Sequence, residues 1–472
     1  MEEIKTDLLV IGAGSGGLSV AVGAAAMGAK VVLLEGHKMG GDCLNYGCVP
    51  SKALIATSKW AHKSAPLQDF GIAKSTSEVD YSAVNDYVQE VISQIEPNDS
   101  QARMESLGIR VIREFGVFTK PRQVRAGNHL VSARRIVIAT GSRPIIPEIP
   151  CINNVPYLTS ETIFDLREKP DHLIIIGGGP FGLEMAQAHI RLGSKVTVIE
   201  EFRVLGRSDP ELSAILVESL TDEGVEIIEQ AKVSIIDYEN SKIVVHFNHK
   251  KLVIGTHLLF SSGRKVNFEN LGLDEAGIQT SATGIKVDSN LRTTNKSVYA
   301  VGDVVGGWQF THVAAYHASC VVRAILFCLP VRSDMSHMPW VVFTDPEMAQ
   351  VGLTESEAQN QYGAKLEVVT RHYSHNDRAI AEQKTKGMIK LMVVNGRPVG
   401  VSIVGYQAGE LINLWALVLK NKLKMRHVVG MISPYPTIGG LSKDLVSGYF
   451  ASRLFNNLMI KRLVGFIQRW VP

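Results

Sequence analysis

The sequence contains few cysteines, little net charge and no long apolar segment. Five cysteines among 472 residues are too few for the disulfide framework of an extracellular protein. A net charge of +3 at pH 7 is too small to indicate a nucleic-acid partner. No apolar stretch is long enough to cross a bilayer, and residues 1–7 leave no room for a signal peptide before the first apolar strand. We therefore expect a cytoplasmic protein that binds no nucleic acid.

Glycine, in contrast, is abundant, and several of the 42 glycines lie in loops between a predicted strand and a predicted helix. The apolar strand 7–11 leads into Gly12, Gly14 and Gly17, an alanine-rich helix, and a second strand that ends at Glu35. Such glycines let the backbone approach a pyrophosphate at a helix N-terminus, and the acidic residue accepts hydrogen bonds from the adenosine ribose. The unit therefore predicts a dinucleotide site.

A second unit of the same kind follows strand 172–176. Its glycine loop and its terminal acidic residue are Gly177, Gly179, Gly182 and Glu200. Two complete units predict two separate dinucleotides. Glu200 favours NADH, because a carboxylate repels the 2′-phosphate of NADPH. Arg203 and Arg207 follow closely and keep NADPH as the alternative.

Cys43 and Cys48, separated by four residues, lie shortly after the first glycine loop. A disulfide that closes so small a loop adds little stability, so we interpret the two cysteines as a redox pair. Pro50 and the apolar pattern of residues 53–61 predict a helix that begins just after Cys48. The positive end of that helix dipole favours a thiolate. These features indicate a flavin-linked disulfide oxidoreductase.

The motifs together resemble the pyridine nucleotide–disulfide oxidoreductases, the family of dihydrolipoamide dehydrogenase, glutathione reductase and mercuric reductase. The resemblance covers essentially the whole chain. The matching segments are the two glycine loops, residues 40–52 with both cysteines and Lys52, residues 139–141, Glu184 and residues 300–303.

The resemblance implies that FAD lies in the first domain, with Cys48 as the flavin-side thiol and Cys43 as the exchanging thiol. It also implies that Lys52 pairs with Glu184 near the flavin, although from the residues alone two surface charges would be the simpler interpretation. Electrons would pass from NAD(P)H through FAD and the dithiol to a small-molecule or protein disulfide. The resemblance further implies cofactor-binding roles for Gly41, Thr140, Gly141, Gly263, Asp303 and Thr311, with Asp303 contacting the ribitol chain.

We expect an α/β fold with two Rossmann-like dinucleotide-binding domains and an α+β dimerisation domain. The predicted segments are 1–149 (first part of the FAD domain), 150–268 (NAD(P) domain), 269–337 (return to the FAD domain) and 338–472 (interface domain). The last segment implies a homodimer whose active sites are shared between subunits.

One motif departs from the family. Disulfide-reducing members carry His-Pro-Thr-x-x-Glu in the interface domain, whereas this chain has Tyr435 and Gly440 at the positions of the histidine and the glutamate. A phenol titrates near pH 10, so efficient turnover of lipoamide or glutathione disulfide is not expected. His375 is a conceivable substitute base. A tyrosine at this position resembles mercuric reductase, but the C-terminal cysteine pair of that enzyme has no counterpart in residues 446–472.

Several functions remain open at this point. The main hypothesis is an NAD(P)H oxidoreductase with an unidentified acceptor. The alternatives are dihydrolipoamide dehydrogenase, a mercuric-ion or quinone reductase, and a flavin redox sensor without rapid turnover. We predict no resident metal site, because Cys320 and Cys328 on a predicted helix fit small core residues better than ligands.

The tail, residues 446–472, contains Arg453, Lys461, Arg462 and Arg469 and no acidic residue. Aromatic and aliphatic residues alternate with these cations, as in a basic amphipathic helix on an anionic membrane. Packing against the protein's own interface domain explains the pattern equally well. The membrane interpretation would place the protein peripherally on the inner membrane surface, where a quinone becomes a plausible acceptor.

Overall fold

The computed structural model describes residues 1–63, 78–248 and 251–471. Contacts divide the chain into two compact units: Met1–Phe202 with Val225–Asp334, and Arg203–Gly224 with Met335–Pro472. The predicted α/β class is confirmed. Within the described ranges, no helix combines the length and the apolar character that a membrane crossing requires.

A seven-stranded sheet forms the first dinucleotide fold of the first unit. Parallel strands follow one another in the order Arg110–Ile112, Val31–Leu34, Glu2–Ile11, His129–Ile138 and Val298–Ala300. Two antiparallel strands, Gln123–Ala126 and Gly116–Lys120, continue from the start of His129–Ile138. Both faces of the central strands are covered, which explains why they are apolar at consecutive positions.

Helices α1 to α5 of this fold are Ser15–Ala26, Gly41–Asn45, Cys48–Lys63, Tyr81–Ile95 and Gln101–Ser106. Helix α3 begins at Cys48 itself. Helices α4 and α5 are separated by the 3₁₀ turn Glu96–Asn98. Pro97 lacks a backbone N–H and so cannot continue the hydrogen-bond pattern of α4.

The second dinucleotide fold has four parallel strands in the order Glu226–Ile228, Lys195–Ile199, His172–Ile176 and His257–Phe260. Helix α6 (Pro180–Arg191) follows the second glycine loop. A three-stranded antiparallel sheet, Val233–Glu239, Lys242–Phe247 and Lys251–Gly255, adjoins this fold. Two short strand pairs complete the first unit: Ser142–Pro144 with Arg264–Val266, and Thr280–Ser281 with Gly284–Ile285.

Helix α7 (Pro210–Asp222) belongs to the second unit by its contacts, and α8 (Thr311–Phe327) packs against α1 in the first. The second unit is built on an antiparallel sheet with the strand order Trp340–Val342, Glu347–Gly352, Arg397–Gly405, Met388–Val394 and Leu366–His372. Its remaining helices, α9 to α14, are Glu355–Tyr362, Asp377–Ala381, Ala408–Lys420, Met425–Val429, Gly440–Phe455 and Leu458–Trp470. Trp415 of α11 is fully buried in the core that α11 and α13 form with this sheet.

The opposite face of this sheet contains a buried cation. Lys390, in the middle of strand Met388–Val394, has a side chain only 4% exposed. Its Nζ lies 3.1 Å from Asp209 Oδ2, 2.6 Å from Glu211 Oε2 and 2.8 Å from Glu355 Oε2. Burial alone would lower the pKa of Lys390, but the hydrogen bonds to the three carboxylates outweigh it and raise the pKa. This cluster fastens α7 and α9 to the sheet.

We expect Lys390→Met to lower the free energy of unfolding by about 3 kcal/mol, because Asp209 would be left buried without its cation. Lys386→Met is the matched control. Lys386 pairs with Asp222 and Glu218, whose side chains are 66% exposed, so its loss should cost at most about 1 kcal/mol. Urea unfolding at pH 7, followed by circular dichroism, measures both. Equal effects of the two substitutions would contradict a stabilising role for the buried cluster.

Candidate active site

The first glycine loop has the shape that a pyrophosphate requires. A Cβ at Gly17 would lie 1.8 Å from Gly12 O, so only glycine allows α1 to start this close to the strand. No described side chain caps the N-terminus of α1, so its first N–H groups are available to an anion. Glu35 supports the loop, since its carboxylate accepts the N–H groups of Ala13 and His37, each at 2.7 Å. These residues fit FAD.

The cysteine segment is packed directly against this loop. Gly41 has φ of +60°, and a Cβ there would lie 2.7 Å from Gly14 Cα. This contact places α2, which carries Cys43, beside the pyrophosphate loop, and α3 then begins at Cys48. The predicted cofactor loop and the predicted redox pair are thus brought together by two glycines.

Both thiols of the pair are free and hydrogen-bonded to each other. The hydrogen bond from Cys43 is the main cause that lowers the pKa of Cys48 to about 6. Burial opposes this change, whereas Thr311 and the positive charge of Lys52 reinforce it. The Cys48 Sγ lies 3.3 Å from Thr311 Oγ1, at the start of α8. The same thiol contact, together with burial, raises the pKa of Cys43. Cys48 is therefore the thiolate of the pair at neutral pH.

Lys52 and Glu184, which the family resemblance predicted to pair, form an ion pair. The Lys52 Nζ donates to Glu184 Oε2 at 2.8 Å, and the Glu184 side chain is only 4% exposed. The pair joins α3, one turn beyond Cys48, to α6 of the second dinucleotide fold. It thereby holds a positive charge close to the Cys48 thiolate.

Asp303 lies in the 3₁₀ turn Gly302–Val305. Burial raises its pKa, and the Ser142 hydroxyl donates to its carboxylate at 2.6 Å. His317, which the sequence analysis did not select, supports this turn: its Nδ1 accepts the Gly302 N–H at 3.3 Å. Burial lowers the pKa of His317 to about 4, so the ring is neutral and able to accept. A turn with a fixed, half-buried carboxylate suits the hydroxyl groups of a ribitol chain.

Thr140, Gly141 and Gly263 lie where the chain passes between the two dinucleotide folds. The Thr140 hydroxyl donates to Asn267 O, and the Asn267 side chain returns a 3.1 Å hydrogen bond to Thr140 O. Gly141 O accepts the Asn267 N–H at 2.9 Å, and Gly263 O accepts that of Ile145 at 3.0 Å. These hydrogen bonds join residues 140–145 to residues 263–267, the two segments that connect the dinucleotide folds.

The second glycine loop repeats the arrangement of the first. The Glu200 carboxylate accepts the N–H of Gly178 at 2.7 Å and that of Phe202 at 2.9 Å. Helix α6 begins after Gly179 with Pro180 in its first turn, and no described side chain caps it. With Gly177 and Gly182, the N-terminus of α6 provides backbone N–H donors for a second pyrophosphate.

Tyr435, in the second unit, replaces the expected imidazole and has its own carboxylate partner. Its side chain is 81% exposed, and its hydroxyl donates to Asp377 Oδ2 at 2.8 Å. This hydrogen bond to a negative group raises the pKa of Tyr435. Asn376 holds the two segments together, since its Nδ2 donates to Thr437 O at 3.1 Å while its Oδ1 caps α10. Asp377, two residues after the candidate base His375, could have been found only through this fold-dependent contact.

The other cysteines lie apart from the pair. Cys320 is buried in the core, as expected, but the expectation that Cys328 is a core residue is wrong. Cys328 is exposed and ends α8 in the left-handed conformation, with φ of +51°. Across the part of the chain that the structure describes, no cluster of three or more His, Cys, Asp or Glu side chains forms a metal site.

Comparison with known proteins places these features in a family. Residues 6–318 match the family model described as pyridine nucleotide-disulphide oxidoreductase, and residues 338–444 match the dimerisation domain of the same family. A mercuric reductase from Lysinibacillus sphaericus is 32% identical over 446 residues, which cover 93% of this chain and 81% of the relative. A dihydrolipoyl dehydrogenase from Geobacillus stearothermophilus is 30% identical over 453 residues, covering 93% and 95%.

A solved structure is similar over nearly its whole length. The HOCl-induced flavoprotein disulfide reductase RclA from Escherichia coli, determined as a Cu(II) complex, matches with a TM-score of 0.85 at 30% identity. The match covers 94% of this chain and 99% of that chain. These comparisons agree with the resemblance that the motifs indicated.

The hydrogen bond between the two thiols can be tested by titration. We expect Cys43→Ala to raise the apparent pKa of Cys48 by about one to two pH units, since a hydrogen bond to a charged group contributes about 1.5–3 kcal/mol. Cys43→Ser is the control, because its hydroxyl can still donate and should keep the value near 6. The measurement is the rate of iodoacetamide alkylation of Cys48 against pH, read by peptide mass spectrometry. Equal pKa values in the two variants would refute the assignment.

Proposed function

The chain belongs to the pyridine nucleotide-disulphide oxidoreductase family, and on that premise we propose that it transfers two electrons from NADH, through FAD and the Cys43–Cys48 pair, to a thiophilic metal ion. The observation that carries the choice of acceptor is the hydrogen bond from Tyr435 to Asp377, at the position where disulfide-reducing relatives have an imidazole.

The cofactor sites suit FAD in the first dinucleotide fold and NADH in the second. When bound, FAD would supply the two-electron carrier between the nicotinamide and the cysteines. Glu200 favours NADH, because its carboxylate at the end of strand Lys195–Ile199 would repel a 2′-phosphate. Arg203 is already engaged, since its guanidinium donates to the carbonyls of Gly206 and Ser208 at 3.3 and 3.1 Å.

The two sulfur atoms of the cysteine pair differ in protonation state. Cys48 is held as a thiolate by Cys43, Thr311 and Lys52. Cys43 keeps its proton, because burial and the contact with Cys48 raise its pKa. For attack on an incoming disulfide, Cys43 would need a base to remove that proton. A soft metal ion needs none, since it displaces the proton as it binds the sulfur.

The proton balance distinguishes the two classes of acceptor. Reduction of a disulfide follows NADH + H⁺ + RSSR → NAD⁺ + 2 RSH, and an acid must protonate each leaving thiolate. Reduction of a divalent ion follows NADH + M²⁺ → NAD⁺ + M⁰ + H⁺, or NADH + 2 M²⁺ → NAD⁺ + 2 M⁺ + H⁺ for a one-electron acceptor. No proton is delivered to the metal. A phenol titrates near pH 10, and the hydrogen bond to Asp377 raises the pKa of Tyr435 further, so Tyr435 exchanges protons poorly at neutral pH and the second class fits better.

The relatives and the second unit support this choice. Similar proteins carry the name mercuric reductase, and the similar RclA structure is a Cu(II) complex. The dimerisation domain supports a homodimer. We infer that its two chains share each active site, so that Tyr435 acts at the cysteine pair of the other subunit. Dihydrolipoamide dehydrogenase remains the second candidate, favoured by the dihydrolipoyl dehydrogenase from Geobacillus stearothermophilus.

Anaerobic stopped-flow spectroscopy tests the acceptor. The holoenzyme is reduced with NADH or NADPH and mixed with Hg(II), Cu(II), lipoamide, glutathione disulfide or a soluble quinone. We expect faster flavin reduction by NADH and reoxidation by Hg(II) or Cu(II) at least about a hundredfold faster than by either disulfide, since a positioned acid contributes 10²–10⁴-fold to proton-dependent steps. Reoxidation by lipoamide at the metal-ion rate would instead assign the protein as a dihydrolipoamide dehydrogenase.

A further inference from the structure

We propose that α14 (Leu458–Trp470) is a docking helix for an anionic membrane surface. This inference concerns where the enzyme acts and is independent of the acceptor. None of the residues of α14 is buried. Large apolar side chains of a globular protein are rarely left exposed as a contiguous group, and where they are, they mark an interaction surface.

Apart from Leu458 at its first position, the side chains of α14 are divided between two faces at helical periodicity. One face is aromatic and aliphatic and covers less than half of the circumference. Its members are Met459, Ile460, Leu463, Val464, Phe466, Ile467 and Trp470. The opposite face carries Lys461, Arg462, Gln468 and Arg469, together with Gly465. This composition is typical of helices that lie in the interface plane of a bilayer.

Helix α14 is separate from the helix before it. Helix α13 ends at Phe455, and the Asn457 side chain caps the new helix by accepting the N–H groups of Met459 and Ile460 at 3.0 and 3.2 Å. The apolar face of α13 is used inside the domain, where Leu441, Leu445 and Tyr449 are buried. The two explanations that the sequence left open therefore apply to different segments: α13 packs on its own domain, and α14 does not.

The charges favour lipid over a second copy of the chain as the occupant. Residues 446–472 contain no acidic residue, so another α14 would cover the apolar face without neutralising Lys461, Arg462 or Arg469. The match to the family's dimerisation domain also ends at residue 444, before α14 begins. An anionic bilayer satisfies both faces at once, since the apolar side chains enter the acyl boundary while the cations reach lipid phosphates.

Vesicle binding by the holoenzyme tests the electrostatic part. We expect co-sedimentation with phosphatidylcholine–phosphatidylglycerol vesicles, weakened by salt, and little with phosphatidylcholine alone. The triple variant Lys461→Gln/Arg462→Gln/Arg469→Gln should lower the partition coefficient by roughly a hundredfold, at about fivefold per cation removed. Failure of the wild-type holoenzyme to bind the anionic vesicles would overturn the proposal.

A matched pair of variants tests the apolar part. Leu463→Glu and Gln468→Glu introduce the same charge on opposite faces of α14, and both positions are exposed, so neither should alter folding or bound FAD. We expect Leu463→Glu to bind at least about tenfold more weakly than Gln468→Glu, because only the former places a charge in the acyl boundary. Equal binding would overturn the proposal. So would conversion of the dimer to monomers by Leu463→Glu in sedimentation velocity, which would assign α14 to self-association.

Discussion

The ion pair between Lys52 and Glu184 is the interaction on which the candidate active site depends. It connects residues 132 positions apart in the sequence, on the helix of the cysteines and on the helix of the second glycine loop. A carboxylate as buried as Glu184 is tolerated only beside a cation, so the two helices must pack in this one arrangement. The nearby Cys48 thiolate gains a fixed positive charge as a result, which reinforces the asymmetry that the hydrogen bond between the two thiols mainly produces.

That asymmetry limits the chemistry of the acceptor. One sulfur atom is held as a thiolate and the other keeps its proton, and no imidazole is among the groups that chiefly shift the pKa values of the two thiols. The exposed Tyr435, hydrogen-bonded to Asp377, is a poor acid and a poor base at neutral pH. A metal ion that binds sulfur directly avoids the difficulty, whereas a disulfide does not. The acceptor proposal therefore follows from proton chemistry, with the names of the relatives as support.

Much of the fold could be predicted, because its signals are local. The strand–glycine–helix units, the terminal Glu35 and Glu200 and the start of α3 all follow from patterns within a few dozen residues. The contacts that tune the site are long-range and left no such signal. From the sequence, Lys390 resembles an ordinary surface lysine, and only the fold brings three carboxylates to it. Asp377 and His317 likewise contact Tyr435 and Gly302, which are not their neighbours in the sequence. The break between α13 and α14 at Asn457 could not be predicted, because residues 446–472 are basic and apolar on both sides of it.

The most direct test of the central claim is to restore the missing acid and base. A Cβ at Gly440 would lie 3.8 Å from its nearest neighbour, Asn376 Nδ2, so the double variant Tyr435→His/Gly440→Glu can be accommodated. The steady-state kcat/KM for NADH-dependent lipoamide reduction is measured at pH 7 for both forms of the holoenzyme. The account predicts an increase of at least about a hundredfold in the variant, the contribution of one positioned acid–base group. An unchanged kcat/KM in the double variant, or an already high kcat/KM in the wild-type enzyme, would contradict it.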